Sequence, residues 1–271
     1  MEISKRPSRH HNHLESDNYN FFKNYRHLAW LGGIITLIGL IIFVLFSPYF
    51  LIQDILIVRG SVEVDNAKIQ EILKPFYGQN IFLASNETIT NLIQDNFPEV
   101  KIAKLKRSLP NALNIEITNY PLVAEIIPTD AWGIKNKNAK LVLNSIGMIL
   151  ITPPEELAEN LPKITFYPTP EKWEEKKIII STKWLNFILL TNQRLSDEFL
   201  IGIKNIEYYS KEREIHIETT KSFKIILDLT KNSDSQINKL KIATKEIPLN
   251  KSDLEYIDLR IKSKIFYKKN K

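Results

Sequence analysis

The 271 residues contain no cysteine. A disulfide, a thiolate metal site and a cysteine nucleophile are therefore excluded. Glycine is scarce: eight in all, with Gly32, Gly33 and Gly39 inside one apolar run, so no glycine-rich loop exists to cradle phosphate. Four of the five histidines, His10, His11, His13 and His27, precede or border that run, and only His216 follows it. Zinc-ligand spacing is absent, and the His10–His11–His13 group reads as part of a solvated leader. Charge of one sign is not gathered anywhere either. The 37 basic and 31 acidic residues are mixed along the chain for a net charge of +6, whereas a nucleic-acid binder concentrates positive charge in a stripe or tail. Nucleic acid is not an expected partner.

What is present is one long uncharged stretch. "LAWLGGIITLIGLIIFVLF", Leu28 to Phe46, has Thr36 as its one polar side chain. As a helix it reaches about 28 Å, close to the hydrocarbon thickness of a bilayer. A cleaved signal peptide is the rival reading. The long polar leader, the length of the run and the lack of a small-residue cleavage site in "SPYFLIQD" argue against it. Lys5, Arg6, Arg9, Lys23 and Arg26 precede the run, and Arg59 is the one basic residue in the twenty after it. Basic flanks stay cytoplasmic, so a cytoplasmic, unstructured tail 1–27, a membrane helix 28–48 and an extracytoplasmic remainder are expected.

Beyond the run, "LIQDILIVRG" reads as a strand. Ile69, Ile72, Leu73 and Phe76 then repeat at helical spacing, with Asp65 or Asn66 as cap and Pro75 and Gly78 as stop. "GQNIFLAS" is a loop expected to tuck Ile81, Phe82 and Leu83 inward. A second helix carries Ile89, Leu92, Ile93 and Phe97 between Ser85 or Asn86 and Pro98. Two strands follow, joined by a turn at Pro110 and Asn111. The order β-α-α-β-β over residues 50–120 predicts two helices on one face of a three-stranded sheet.

This order, with Gly60, "GQNIF", "FPEVKIAKLKRSLPNALNIEI", Pro121 and Ala124, resembles a POTRA domain of the FtsQ/DivIB family. Ala103, Leu105, Arg107, Pro110 and Leu113 meet the family's spacing, while Asn119 stands where an acidic residue is common. The likeness continues through "AKLVLNSIGMIL", "LPKITF" and "YIDLR". It implies an α+β protein: a single N-terminal transmembrane helix, the POTRA domain, then a mainly antiparallel β domain over 121–271 with flanking helices.

In that second part, "LVAEIIP", "AWGIKN", "AKLVLN" and "GMILIT" read as strands, with a turn at Asn144–Gly147. Five prolines from Pro153 to Pro170 mark a looping stretch. A helix is expected from Trp173 to about Arg194, although "KKIIIS" within it equally suits a strand. "IKNIEYYS", "REIHIETT" and "SFKIILDL" alternate as strands, a helix spans about Ser233 to Lys245, and one strand runs from Tyr256 to Lys268. The joint between the two parts falls near Tyr120 and Pro121.

No catalytic constellation emerges. His216 lies between Ile215 and Ile217 on a strand and is expected to face solvent. Glu155–Glu156 and Glu174–Glu175 mark no paired carboxylates. The Ala29–Gly33 pair at the edge of the run is a weak helix-packing signal. No enzyme activity, cofactor or metal is therefore expected.

The final strand reads either as an ordinary edge guarded by lysines or as one that accepts a partner's strand. The resemblance favours the second. It implies a divisome scaffold at the septum, holding FtsB/DivIC-like and FtsL-like coiled-coil proteins and other membrane division proteins from the bilayer. Arg260, Ile261 and Ser263 would lie at the contact, and Lys264, Ile265, Phe266 and Tyr267 would continue it. Ile261 replaces a common aromatic, so anchoring is weaker or moves to Phe266 or Tyr267. The alternative is a membrane-anchored envelope hydrolase or carbohydrate-binding protein.

Overall fold

A computed structural model describes residues 16–59, 66–127, 139–153, 161–168, 174–245, 247, 249, 254–262 and 264–270. Helix α1 (Ser16–Phe46) contains the apolar run. Its residues His27–Phe46 are long and apolar enough to cross a membrane, and none of that window is buried against the protein. A soluble core helix would be covered. α1 begins at Ser16, so part of the leader expected to be unstructured is helical. Extending a formed helix adds a hydrogen bond per residue with no second nucleation cost. The leader histidines His10, His11 and His13 lie outside the described residues.

The first module after α1 comprises β1 (Asp54–Arg59), α2 (Asn66–Leu73), α3 (Asn86–Asn96), β2 (Val100–Ser108) and β3 (Ala112–Asn119). The sheet order is β1-β3-β2, with β1 parallel and β2 antiparallel to β3. Ile69 and Leu73 of α2, Ile89 and Ile93 of α3, and Leu113 and Ile115 of β3 are fully buried together. Each such side chain stabilises the module by about 1.5–3 kcal/mol. The Ser85 hydroxyl accepts the Thr88 N–H at 3.3 Å and starts α3.

The loop between the helices departs from expectation. Ile81 is buried, but Phe82 is 43% and Leu83 66% exposed. Arg107 supplies the reason. Its Nε donates to the Ile81 carbonyl at 2.8 Å and its Nη2 to the Ala84 carbonyl at 2.7 Å. The fork fixes the loop at both ends and leaves its two middle side chains outside.

The second module is one nine-stranded sheet: β4 (Leu122–Ile126), β5 (Lys140–Asn144), β6 (Ile149–Thr152), β7 (Lys163–Tyr167), β8 (Ile203–Tyr209), β9 (Glu214–Thr219), β10 (Lys224–Asp228), β11 (Leu254–Asp258) and β12 (Phe266–Lys269). Their order is β12-β11-β10-β9-β8-β7-β4-β5-β6. The sheet is mixed: β11 is parallel to β10, and β7 is parallel to both β8 and β4, while the other five pairings are antiparallel. Helices α4 (Thr182–Phe199) and α5 (Ser233–Ala243) cover one face. Leu185, Ile188, Ile237 and Leu240 join Ile206, Ile217, Ile225 and Ile257 in the main core. Val142, Met148 and Leu150 form a smaller cluster on the other face.

Two further expectations change, and one open alternative resolves. β7 lies inside the proline-marked stretch, where a loop is expected, because Pro162 and Pro168 flank the strand and remove no donor from within it. α4 starts at Thr182, where Ser181 accepts the Trp184 N–H at 3.4 Å. "KKIIIS" instead runs along β6, with backbone bonds Ile149 N–Lys177 O (3.0 Å) and Ile179 N–Gly147 O (3.0 Å), which is its strand alternative. "AWGIKN" lies outside the described residues.

Candidate partner-binding edge

The sheet's two ends are built differently. At β6, the Lys176–Ile179 segment pairs with Gly147 and Ile149 and covers that end of the edge. Gly147 permits the approach: it holds φ +80°, and a Cβ there would meet the Ile180 carbonyl oxygen at 2.0 Å. At the other end, β12 pairs only with β11 among the described residues, so its second side presents unmatched backbone groups.

The stretch read as one long strand is two. β11 ends at Asp258, residues 259–262 bend away, and β12 returns antiparallel, with Ile257 opposite Tyr267 and Asp258 opposite Phe266. A two-residue alternation cannot register that reversal, since the apolar and polar positions keep their phase on either side of the bend.

Side chains from two other elements hold the bend. From α5, Lys239 Nζ donates to the Leu259 and Ile261 carbonyls, the latter at 2.7 Å, and from the turn before α5, Lys231 Nζ donates to the Arg260 carbonyl at 2.6 Å. Leu259 is fully buried, and its N–H donates to the Ile226 carbonyl at 3.0 Å. The Arg260 guanidinium is bidentate on Asp258, at 3.0 and 2.7 Å, and also reaches Glu214. The hydrogen bonds it donates to Asp258 and then Glu214 raise the Arg260 pKa against the opposing effect of burial. Burial pushes Asp258 upward, but the Arg260 side chain and N–H outweigh it and hold the carboxyl below its usual range. Burial, together with the nearby Lys231 charge, lowers Lys239. Sequence reading missed Lys231, Lys239 and Glu214, because no spacing links residues on α5, the turn before it or β9 to a distant bend.

The predicted site residues therefore divide. Arg260 turns inward as a clamp, and Ile265 packs partly against the main core. Ile261, Lys264, Phe266 and Tyr267 are exposed, and Ser263 lies outside the described residues. Phe266 and Tyr267, at 49% and 48% exposure, are the large apolar groups on the open strand.

His216 does not face solvent as expected. It sits half-buried, Nε2 3.1 Å from Glu214 and Nδ1 3.9 Å from Glu207, with its ring 4.4 Å from that of Tyr209. Lys224 also binds Glu207 at 2.9 Å. Burial, then the neighbouring Glu207, pushes the Tyr209 hydroxyl up to about 12. Both ring nitrogens face carboxylates in a cross-strand charge ladder. No group of three His, Cys, Asp or Glu side chains is placed to hold a metal among the described residues.

The chain thus combines a helix long and apolar enough to cross a membrane, a small two-helix module and a mixed nine-stranded sheet. Residues 52–120 match the family model for the POTRA domain, FtsQ-type. With the N-terminal apolar helix, this is consistent with the FtsQ/DivIB family and points to a division protein. No curated protein matches the chain.

Proposed function

We propose that the protein is a single-pass scaffold of the bacterial divisome, anchored by α1 with its N-terminus cytoplasmic and both outer modules on the far side. It works by docking and not by catalysis. An FtsB/DivIC-like coiled-coil protein, itself joined to an FtsL-like one, adds a strand to β12 at the septum.

The asymmetry of the two sheet edges carries this reading. One is covered at its start by the chain's own backbone, at Gly147 and Ile149, while the other keeps a backbone row free beside Phe266 and Tyr267. Strand addition obtains affinity from main-chain hydrogen bonds and selectivity from alternate side chains, and aromatics are favoured anchors. The clamp on residues 259–262 keeps β12 in place before the partner arrives, which lowers the ordering cost of binding.

The test is binding of the full chain, in nanodiscs, to an FtsB/DivIC-like coiled-coil segment. Phe266→Asp with Tyr267→Asp should weaken binding at least about tenfold, or 1.4 kcal/mol, with the fold unchanged by circular dichroism. Undiminished binding by a folded double variant contradicts the proposal.

A further inference from the structure

The end of α1 is bonded to the small module. Asn80, 6% exposed, donates through Nδ2 to the Val44 and Leu45 carbonyls at 2.8 and 3.0 Å. These belong to the last turn of α1, whose carbonyls have no partner within the helix. Asn80 Oδ1 accepts the Phe82 N–H at 2.9 Å. The same side chain therefore ties the helix end to the loop that Arg107 holds with Phe82 and Leu83 outward.

A second segment reaches the same place. Gln53 N–H donates to the Asn111 carbonyl at 2.9 Å, and Asn111 Nδ2 donates to Gln53 Oε1 at 2.7 Å. This brings the β2–β3 turn, with Leu109 60% exposed, beside the chain that leaves α1. Between the two, Phe82 packs edge-on against Phe50 at 5.4 Å, and Phe50 against the exposed Tyr49 at 5.5 Å.

The three segments share a composition. Ser47–Gln53, Tyr77–Asn86 and Ser108–Ile115 contain no charged residue, in a chain that is 25% charged. A face meant for water would not be so depleted. Headgroups extend roughly 5–8 Å beyond the hydrocarbon on each side, and the loop is bonded directly to the helix turn where the hydrocarbon ends.

We propose that this uncharged face, with Tyr49, Phe82, Leu83 and Leu109, rests in the headgroup layer of the bilayer that α1 crosses. The small module is then seated on the membrane at a fixed tilt. The inference rests on the reading of α1 as an anchor. Apolar and aromatic side chains favour that layer, and a lipid surface fits the site because the helix end itself sets where the surface lies.

The absence of cysteine allows single-cysteine variants of the full chain. Leu83→Cys, Leu109→Cys, Lys211→Cys and Ile38→Cys, each carrying an environment-sensitive fluorophore, are reconstituted in phosphatidylcholine–phosphatidylglycerol vesicles with nitroxide lipids. Labels at 83 and 109 should be quenched by shallow nitroxides severalfold more than the label at 211, and the label at 38 by deep ones. Quenching at 38 with none above the 211 level at 83 and 109 overturns the seating and leaves the anchor standing. Lack of quenching at 38 overturns both. Shielding of 83 and 109 from aqueous quencher without lipid quenching assigns the face to a protein and overturns the seating. Asn80→Ala should reduce quenching at 109 while circular dichroism is unchanged, and unaltered quenching contradicts its role as the tie.

Discussion

Lys176 Nζ stands 2.8 Å from Glu99 Oε1, bridging the small module and the nine-stranded sheet. Glu99 is 5% exposed, and its Oε2 has no hydrogen-bond partner among the described residues. The ammonium also lies 5.8 Å from the Phe97 ring centroid. Close by, the Tyr120 N–H donates to the Glu99 carbonyl at 3.0 Å, so side chain and backbone of one residue both brace the joint at Tyr120 and Pro121.

Lys176→Met leaves a buried carboxylate unpaired. The lysine side chain is 38% exposed, so the expected loss is about 1–3 kcal/mol, below that of a fully buried pair. Denaturant unfolding measures it. Spin labels placed on the two modules should also show a broader distance distribution in the variant, whereas an unchanged distribution would mean that the pair does not fix the joint.

Arg107→Ala strips the Ile81 and Ala84 carbonyls of their donors. A loss of about 1–3 kcal/mol is expected, and Arg107→Lys should recover only part of it, because a single ammonium lacks the planar fork. Equal stability of the lysine variant and the parent would contradict the two-point grip.

Gly147→Ala combines a left-handed backbone, worth about 1–2 kcal/mol against a non-glycine residue, with a Cβ 2.0 Å from the Ile180 oxygen. The segment that covers the start of the β6 edge should be displaced. Faster amide exchange at Ile149 and Ile179 is the expected reading, and parental exchange rates would refute it.

Asp258 gives the open edge an acid response. Its pKa is depressed in the folded protein, so its contribution is full above the ordinary aspartate value of about 3.9. That contribution is lost as pH falls through the lower folded value. Exchange of the Arg260 N–H, which Asp258 Oδ1 accepts at 3.0 Å, should rise steeply in that acid window. Asp258→Asn should remove the steep rise, and its persistence would place the titrating group elsewhere.

Periodicity made the helices and strands of the small module legible: Ile69 and Leu73, Ile89 and Ile93, and Leu113 and Ile115 occupy the core their spacing predicts. It failed where a long-range bond decides orientation. Phe82 and Leu83 look like core residues until Arg107, far along the chain, takes the carbonyls around them. The same holds for the bend after Asp258, which depends on Lys239 of α5 and on Lys231 just before that helix. β7 was hidden because Ile164, Thr165 and Phe166 are all buried, so a central strand shows no alternation.

The most direct measurement of the docking account is amide hydrogen exchange of the full chain in nanodiscs, with and without an FtsB/DivIC-like coiled-coil protein. Strand addition predicts new protection at those amides of Phe266–Lys269 that point away from β11, with the β6 edge unaffected. Saturated binding that leaves these outward amides exchanging at their free rate, and protects another surface, would contradict it.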